Sequence, residues 1–287
     1  MTWHEFWLQL LNGITLGALL FLVSSGFTLI FGLMRIVNLA QGSLYLIGGY
    51  VGLSTIRATG SFWVAILAGS TAVAALGFAF ERGLLRLVRG QPMSEILLTV
   101  GISFIVADVS LAIWGGDPHT LSVPGVIDGS VSIFGLSYPV FRLVVVALGA
   151  VVALGLWFLL ERSRTGAIIR AGVDDREMIA ALGINIKAVF TAVFVLGAFL
   201  AGLAGVVGGA YLSLFPGADV EILTNSLVVV VIGGLGSLRG AIAGSLLVGL
   251  AYDFGQSLVP DLAYFVLFAP MALILLLRPQ GLFGRAG

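Results

Sequence analysis

Few residues in this chain could make or break bonds. There is no cysteine and there are only two histidines. That removes a cysteine nucleophile, a thiolate metal site and a disulfide framework. His119 stands with no second His or Cys nearby, so it reads as a surface residue and not as a metal ligand. There is no His-Glu-x-x-His pattern and no serine beside a plausible base, which leaves an intramembrane enzyme without its parts. The run Gly-Gly-Leu-Gly-Ser, Gly233 to Ser237, fails as a phosphate loop, because no Lys-Ser or Lys-Thr follows and no soluble strand precedes it. What remains are polar residues inside apolar surroundings. Asn38, Gln41 and Ser43 either line a pathway or bond neighbouring helices together. Asp108 is either a pathway or proton site, or it lies near an outer interface or in a satisfied bundle contact.

Charge gathers in one place, from Glu161 to Lys187, ERSRTGAIIRAGVDDREMIAALGINIK. That stretch holds nine of the 28 Asp, Glu, Lys and Arg residues, and 18 and 31 uncharged residues flank it. A polar island between two apolar spans is a loop held in water. Asp174 or Asp175 can cap a helix there, Glu177 lies in capping-box register with Asp174, and Gly183 supplies the stop. The spacing predicts a helix over 175–182 with Met178, Ile179 and Leu182 on one side. Two turns do not persist alone in water, so this helix docks either on its own membrane domain or on a second protein.

The elements that position these residues are membrane helices. The chain is 59% hydrophobic and 10% charged, far below the roughly 25% charged residues of a soluble domain. Its basic residues are dispersed without aromatic interleaving, so no nucleic acid is indicated. MTWHEFWLQLLNG lacks the basic start and cleavage site of a signal peptide, so it is expected to persist as the approach to the first span. That span covers 29 uncharged residues from Phe6 to Met34, with Trp3 and Trp7 at its interface. The next uncharged segment, Ile36 to Ile56, starts polar and Gly-rich and is expected to depart from helix at its beginning. Further spans are expected at about 62–80, 96–114 and 143–160, from Ala188 onward, and at 262–277. The small residues Gly197, Ala201, Gly205 and Gly209 form a packing stripe on the sixth.

Between Ile222 and Tyr252 the uncharged pieces are 17 and 13 residues, short for full spans, with the glycine break between them. Short pieces interrupted by glycine in each half of a membrane chain point to a transport site, which adds Gly233, Gly234 and Ser237 to the candidate pathway. QGSLYLIGGY and AGSLLVGLAY, one in each half, look alike. The turn FPGADVE is expected on the outer face. Arg82, Arg86 and Arg89, the arginines of the charged loop, and RPQGLFGR put those ends and the C-terminus in the cytoplasm and the N-terminus outside, with Arg57 an exception. The expected fold is all-α: a polytopic helix bundle of eight or nine membrane segments, including broken or re-entrant Gly-rich ones, in a single domain over 1–287.

GFTLIFGLMRIVNLAQGSLYLIGGY, RAGVDDREMIAALGIN, VVVIGGLGSLRGAIAGSLLVGL and the terminal RPQGLFG, in this order, resemble the permease family of branched-chain amino-acid ABC importers, in its shorter LivH-type branch. The resemblance implies a plasma (inner) membrane subunit that hydrolyses nothing itself. Its implied partners are a second permease, two cytoplasmic ATP-binding subunits and an external solute-binding protein, with no cofactor of its own. The loop at about 161–187 then becomes the coupling segment, with Arg170, Asp174, Asp175, Glu177, Met178 and Gly183 as its contact residues. Relatives often carry His where this chain has Gln41 and an acidic residue where it has Ser43. Branched-chain amino acids are the implied substrates, with urea, short amides and other small carboxylates as alternatives. An ion-coupled transporter working through Asp108 is the rival mechanism.

Overall fold

The computed structural model describes residues 3–133, 135–174 and 183–284. Its first helix, α1 (Trp3–Met34), follows the uncharged run and is apolar on every side, so most of it lies buried within the bundle. It stops at Arg35, a non-glycine residue held at φ +56°. Helix α2 (Gln41–Thr59) ends at Gly60, whose left-handed φ of 69° lets its N–H reach the Ile56 carbonyl. Helix α3 (Phe62–Val88) opens on the Ser61 hydroxyl, which accepts from the Val64 N–H, and loosens into a π-turn at Glu81–Leu85. Helix α4 (Pro92–Trp114) carries proline in its first turn, where a missing N–H costs nothing.

A two-stranded hairpin follows, β1 (Ser130–Ile133) and β2 (Leu136–Pro139), antiparallel in the register Ser130↔Pro139 and Ile133↔Leu136. Among the described residues this small ribbon is an addition to a fold that is otherwise helical, as expected. Helix α5 (Val140–Arg162) ends in a second π-turn at Phe158–Arg162, and α6 (Arg164–Asp174) lies within the charged loop. Asn185 caps α7 (Ile186–Tyr211) by accepting from the Ala188 N–H at 3.2 Å. The chain closes with α8 (Ala218–Gly233), α9 (Leu238–Leu258) and α10 (Ala263–Leu277). The helix expected over 175–182 lies outside the described residues.

Among the described residues, five helices are long and apolar enough to cross a membrane: α1, α3, α4, α5 and α7. Helices α1 and α7 are mostly buried, with α2, α8 and α9 packed around them. Helices α4 and α5 turn Leu97, Phe104, Ile113, Leu154 and Phe158 outward, as lipid-facing helices do. Close approach between the central helices depends on small residues. Gly48 of α2 meets Gly202 of α7, and Gly17 of α1 meets Ser245 of α9. A Cβ on Gly48 would stand 2.5 Å from the Gly202 Cα, a distance only backbone movement can relieve.

Gly48→Val should therefore push α2 off α7 and lower stability by about 1–3 kcal/mol, the usual range for overpacking. Gly83→Ala, where no described atom lies within 4 Å of the added carbon, should leave the melting point unchanged or raised. Thermal unfolding of the two purified variants in one detergent checks the contrast.

Candidate substrate pathway

The departure from helix expected before α2 is present. Residues Arg35 to Ala40 run without helix between α1 and α2. Their backbone is met by neighbouring side chains. The Leu39 N–H donates to Thr99 Oγ1 at 3.3 Å, and Ser103 Oγ donates to the Leu39 carbonyl at 3.3 Å, both residues lying on α4. Asn38 Oδ1 accepts from the Ala40 N–H at 3.2 Å. The segment climbs back beside α1, because a Cβ on Gly26 would lie 2.6 Å from Gln41 Nε2. Gly26 is eight residues short of the end of α1, so α2 starts about 12 Å inside it.

A second break, not expected from sequence, lies between α7 and α8. Leu214 exchanges backbone hydrogen bonds with His119 at 2.8 and 2.7 Å, and Ser213, at φ +75°, brings its hydroxyl to 2.7 Å from that of Thr120. His119 is thus half-buried and holds this fold-back, with Arg57 Nη2 3.5 Å from its Nδ1. The strand-like segment returns the chain to α2, where Leu214 packs on Gly49 and Asp219 on Gly42. FPGADVE is therefore not an exposed outer turn. It delivers the first turn of α8 to the first turn of α2, and from this junction the two helices run in opposite directions.

At the junction Ser43 Oγ donates to Asp219 Oδ2 at 3.3 Å. Asp219 is only 4% exposed, and its Oδ1 has no hydrogen-bond partner among the described residues. Gln41 Nε2 donates to the Gly197 carbonyl at 3.2 Å, and Asn38 Nδ2 to Gln41 Oε1 at 3.3 Å. Elsewhere in the bundle, Thr28 on α1 and Ser226 on α8 carry buried hydroxyls that find no partner among the described residues. Asn38, Gln41 and Ser43 are thus brought together, and all three are buried. Sequence reasoning missed Asp219. Its signal was an acidic residue just after Pro-Gly at a helix start, where a carboxylate opposes the positive N-terminal end. An acidic side chain was also the resemblance's expectation at position 43, and here a carboxylate reaches that place from α8.

Gly233, Gly234 and Ser237 sit elsewhere, in a tight turn joining antiparallel α8 and α9 level with Gly32 near the end of α1. Gly234 and Gly236 take left-handed φ of 98° and 81°, and Ser237 Oγ caps α9 by accepting from the Gly240 N–H at 3.1 Å. The break is a hairpin at one end of the bundle, apart from Ser43. Of the loop residues, Arg170 lies half-buried on α6, Asp174 is the last residue of α6, and Gly183 turns at φ +79° before α7. Asp175, Glu177 and Met178 lie outside the described residues. The start of α7 is tied to α3 through Glu81, which accepts from Thr191 Oγ1 at 2.6 Å and pairs with Arg89. Asp108 is exposed on α4 beside Phe104 and Ile105, outside the buried polar group.

The junction offers a carboxylate, amide and hydroxyl groups and two helix N-termini, donors and acceptors of the kind that suit a polar solute. Among the described residues no three His, Cys, Asp or Glu side chains come together as a metal site. Residues 9–275 match the family model described as branched-chain amino acid transport system / permease component. The chain is 29% identical to the high-affinity branched-chain amino acid transport system permease protein BraD of Pseudomonas aeruginosa, over 96% of this chain and 95% of the relative. It is 30% identical to the corresponding protein LivH of Escherichia coli K12, with the same coverage. It is 26% identical to the ribose import permease protein RbsC of Escherichia coli K12, over 84% of this chain and 75% of the relative. No solved structure matches the chain.

The Ser43–Asp219 contact should appear as a coupling between the two side chains. Ser43→Ala should cost about 1–3 kcal/mol while Asp219 is present, because it strips a buried carboxylate of its donor. The same change should cost less in an Asp219→Asn background. A double-mutant cycle read by thermal unfolding checks the coupling.

Proposed function

The chain belongs to the branched-chain amino acid transport-system permease family, and on that premise we propose that it is the membrane-spanning subunit of an ATP-driven importer of branched-chain or similar small amino acids. It is a transport subunit and not an enzyme. The observation that carries the substrate reading is the α2–α8 junction. Two helix N-termini supply about half a positive charge each. Together they offset the buried carboxylate of Asp219, while the other acid of that turn, Glu221, is exposed to solvent. A zwitterion fits such a site, with its ammonium on Asp219 Oδ1 and its carboxylate against the helix N-termini, as in other broken-helix transporters. Urea and short amides could also donate to Asp219. Small anionic carboxylates offer that oxygen no donor, and the site disfavours them.

The ends of the bundle differ in charge, which supports the orientation. Arg82, Arg86, Arg89, Arg162, Arg170, Arg239 and Arg278 lie at the end holding the α8–α9 turn, and Asp117 and Asp128 lie in the loop at the other, where Arg57 and Arg142 also stand. By the charge bias of membrane loops the basic end is cytoplasmic and the N-terminus is outside. Counting α2, α8, α9 and α10 with the five long helices gives nine segments, of which α2 and α8 start partway through the bundle. ATP hydrolysis belongs to two partner subunits, one of them seated on this chain's charged loop through residues 174–183, alongside a second permease, with substrate supplied by an external binding protein. Rigid-body movement of the loop passes into α7 and, through Thr191, Glu81 and Arg89, into α3.

The assay is leucine uptake by the co-purified complex in proteoliposomes with its binding protein outside. Uptake should require ATP on the ATPase side and fall about tenfold or more in Asp219→Asn, the loss of one buried charged contact. Gly183→Pro, or charge reversal at Asp174 and Asp175, should abolish uptake while the chain remains inserted. Ion-driven uptake by this chain alone, lost in Asp108→Asn, would overturn the importer reading.

A further inference from the structure

The basic end of the bundle holds a half-open cavity of about 760 Å³, bounded by the end of α1, the end of α5, α6 and the α8–α9 turn. Its walls carry three arginines, Arg35, Arg170 and Arg239, against one acid, Glu161. Arg35 and Arg170 have no ion-pair partner among the described residues, and Arg170 Nη1 is buried there without a hydrogen-bond acceptor. Arg239 approaches Glu161 only to 3.8 Å, with the two side chains 71% and 45% exposed. Such a surface pair is weak and leaves the guanidinium available to a better anion. Arg239 also stands in the first turn of α9, whose N-terminal end adds positive potential to the same space.

We propose that this cavity binds the phosphodiester headgroup of an anionic phospholipid from the cytoplasmic leaflet, an assignment that rests on the orientation given above. Guanidinium groups grip phosphate oxygens in pairs, and basic pockets among cytoplasmic helix ends take acidic headgroups. The rim decides for a lipid over a free phosphate. Trp157 and Leu235 stand exposed there, and Trp157 continues into the outward face of α5 at Leu154 and Phe158. Acyl chains laid along that face would leave the headgroup at the arginines, and a tryptophan at the boundary suits the interface. Arg162 stacks 5.5 Å above the Trp157 ring and adds positive charge at this edge.

The test is native mass spectrometry of the purified full chain titrated with phosphatidylglycerol and, separately, phosphatidylcholine. Phosphatidylglycerol should bind more tightly. Its affinity should fall about fivefold in Arg239→Gln and again in Arg35→Gln, the effect of one basic side chain near an acidic headgroup. Glu161→Gln should move affinity the other way, which separates a charge effect from damage to the fold. Glycerol 3-phosphate should fail to displace the lipid at millimolar concentration. Equal binding of the two lipids, indifference to all three variants, or ready displacement by glycerol 3-phosphate would overturn the assignment. The readout involves no transport, so its failure and a failure of leucine uptake are distinct results.

Discussion

Backbone N–H and C=O groups at membrane depth have no water to turn to, so any departure from helix there must be answered by protein. Two segments of this chain make that departure. The first is answered by α4, where Thr99 and Ser103 take up the Leu39 amide and carbonyl, and by Asn38 from within the segment itself. The second is answered by the loop after α4, where His119 pairs with Leu214 in both directions. Helix α4 and the loop behind it thus hold open both interruptions, while α4 turns Leu97, Phe104 and Ile113 outward. Without those partners α2 and α8 could not start inside the bundle, and Ser43 could not meet Asp219.

The glycines serve the same arrangement from the other side. Helices α2 and α7 run side by side at backbone contact through Gly48 and Gly202, which keeps the Gln41 amide on the Gly197 carbonyl. An ionised carboxylate inside a membrane protein is costly unless charge or donors face it. Here one oxygen of Asp219 is met by Ser43 and the other has no partner among the described residues, with two helix N-termini reducing the cost. The connection to the charged loop runs along α7, whose first turns carry Thr191 against Glu81 and whose middle carries Gly197 against Gln41.

Much of the frame could be read from residue order. Uncharged runs marked α1, α3, α4, α5 and α7 closely, because length and apolarity alone decide a spanning helix. NLAQGS marked the first break, since polar residues and glycine cannot continue a lipid-facing helix. The second break was misread because FPGADVE, with Pro-Gly and two acids, has the residues of a surface turn. Only its pairing with residues 119–121, about 90 positions earlier, folds it inward. The hairpin at Ser130–Pro139 shows alternation and a glycine, but in a chain so apolar it passed for loop. Neither π-turn leaves a sequence mark, and α6 was hidden by the charge around it. Asp219 was visible as a residue and invisible as a site, because its meaning comes from Ser43 on another helix.

The central claim is that the α2–α8 junction lies on an alternating-access path driven by ATP. The chain has no cysteine, so a Ser43→Cys variant carries one thiol at that place. The direct measurement is its labelling by a membrane-impermeant maleimide in the assembled complex, at rest and during ATP turnover. Ser43 is buried, so the thiol should be protected without ATP and should react during turnover. Protection that persists through active turnover, from both sides of the membrane, would contradict the account.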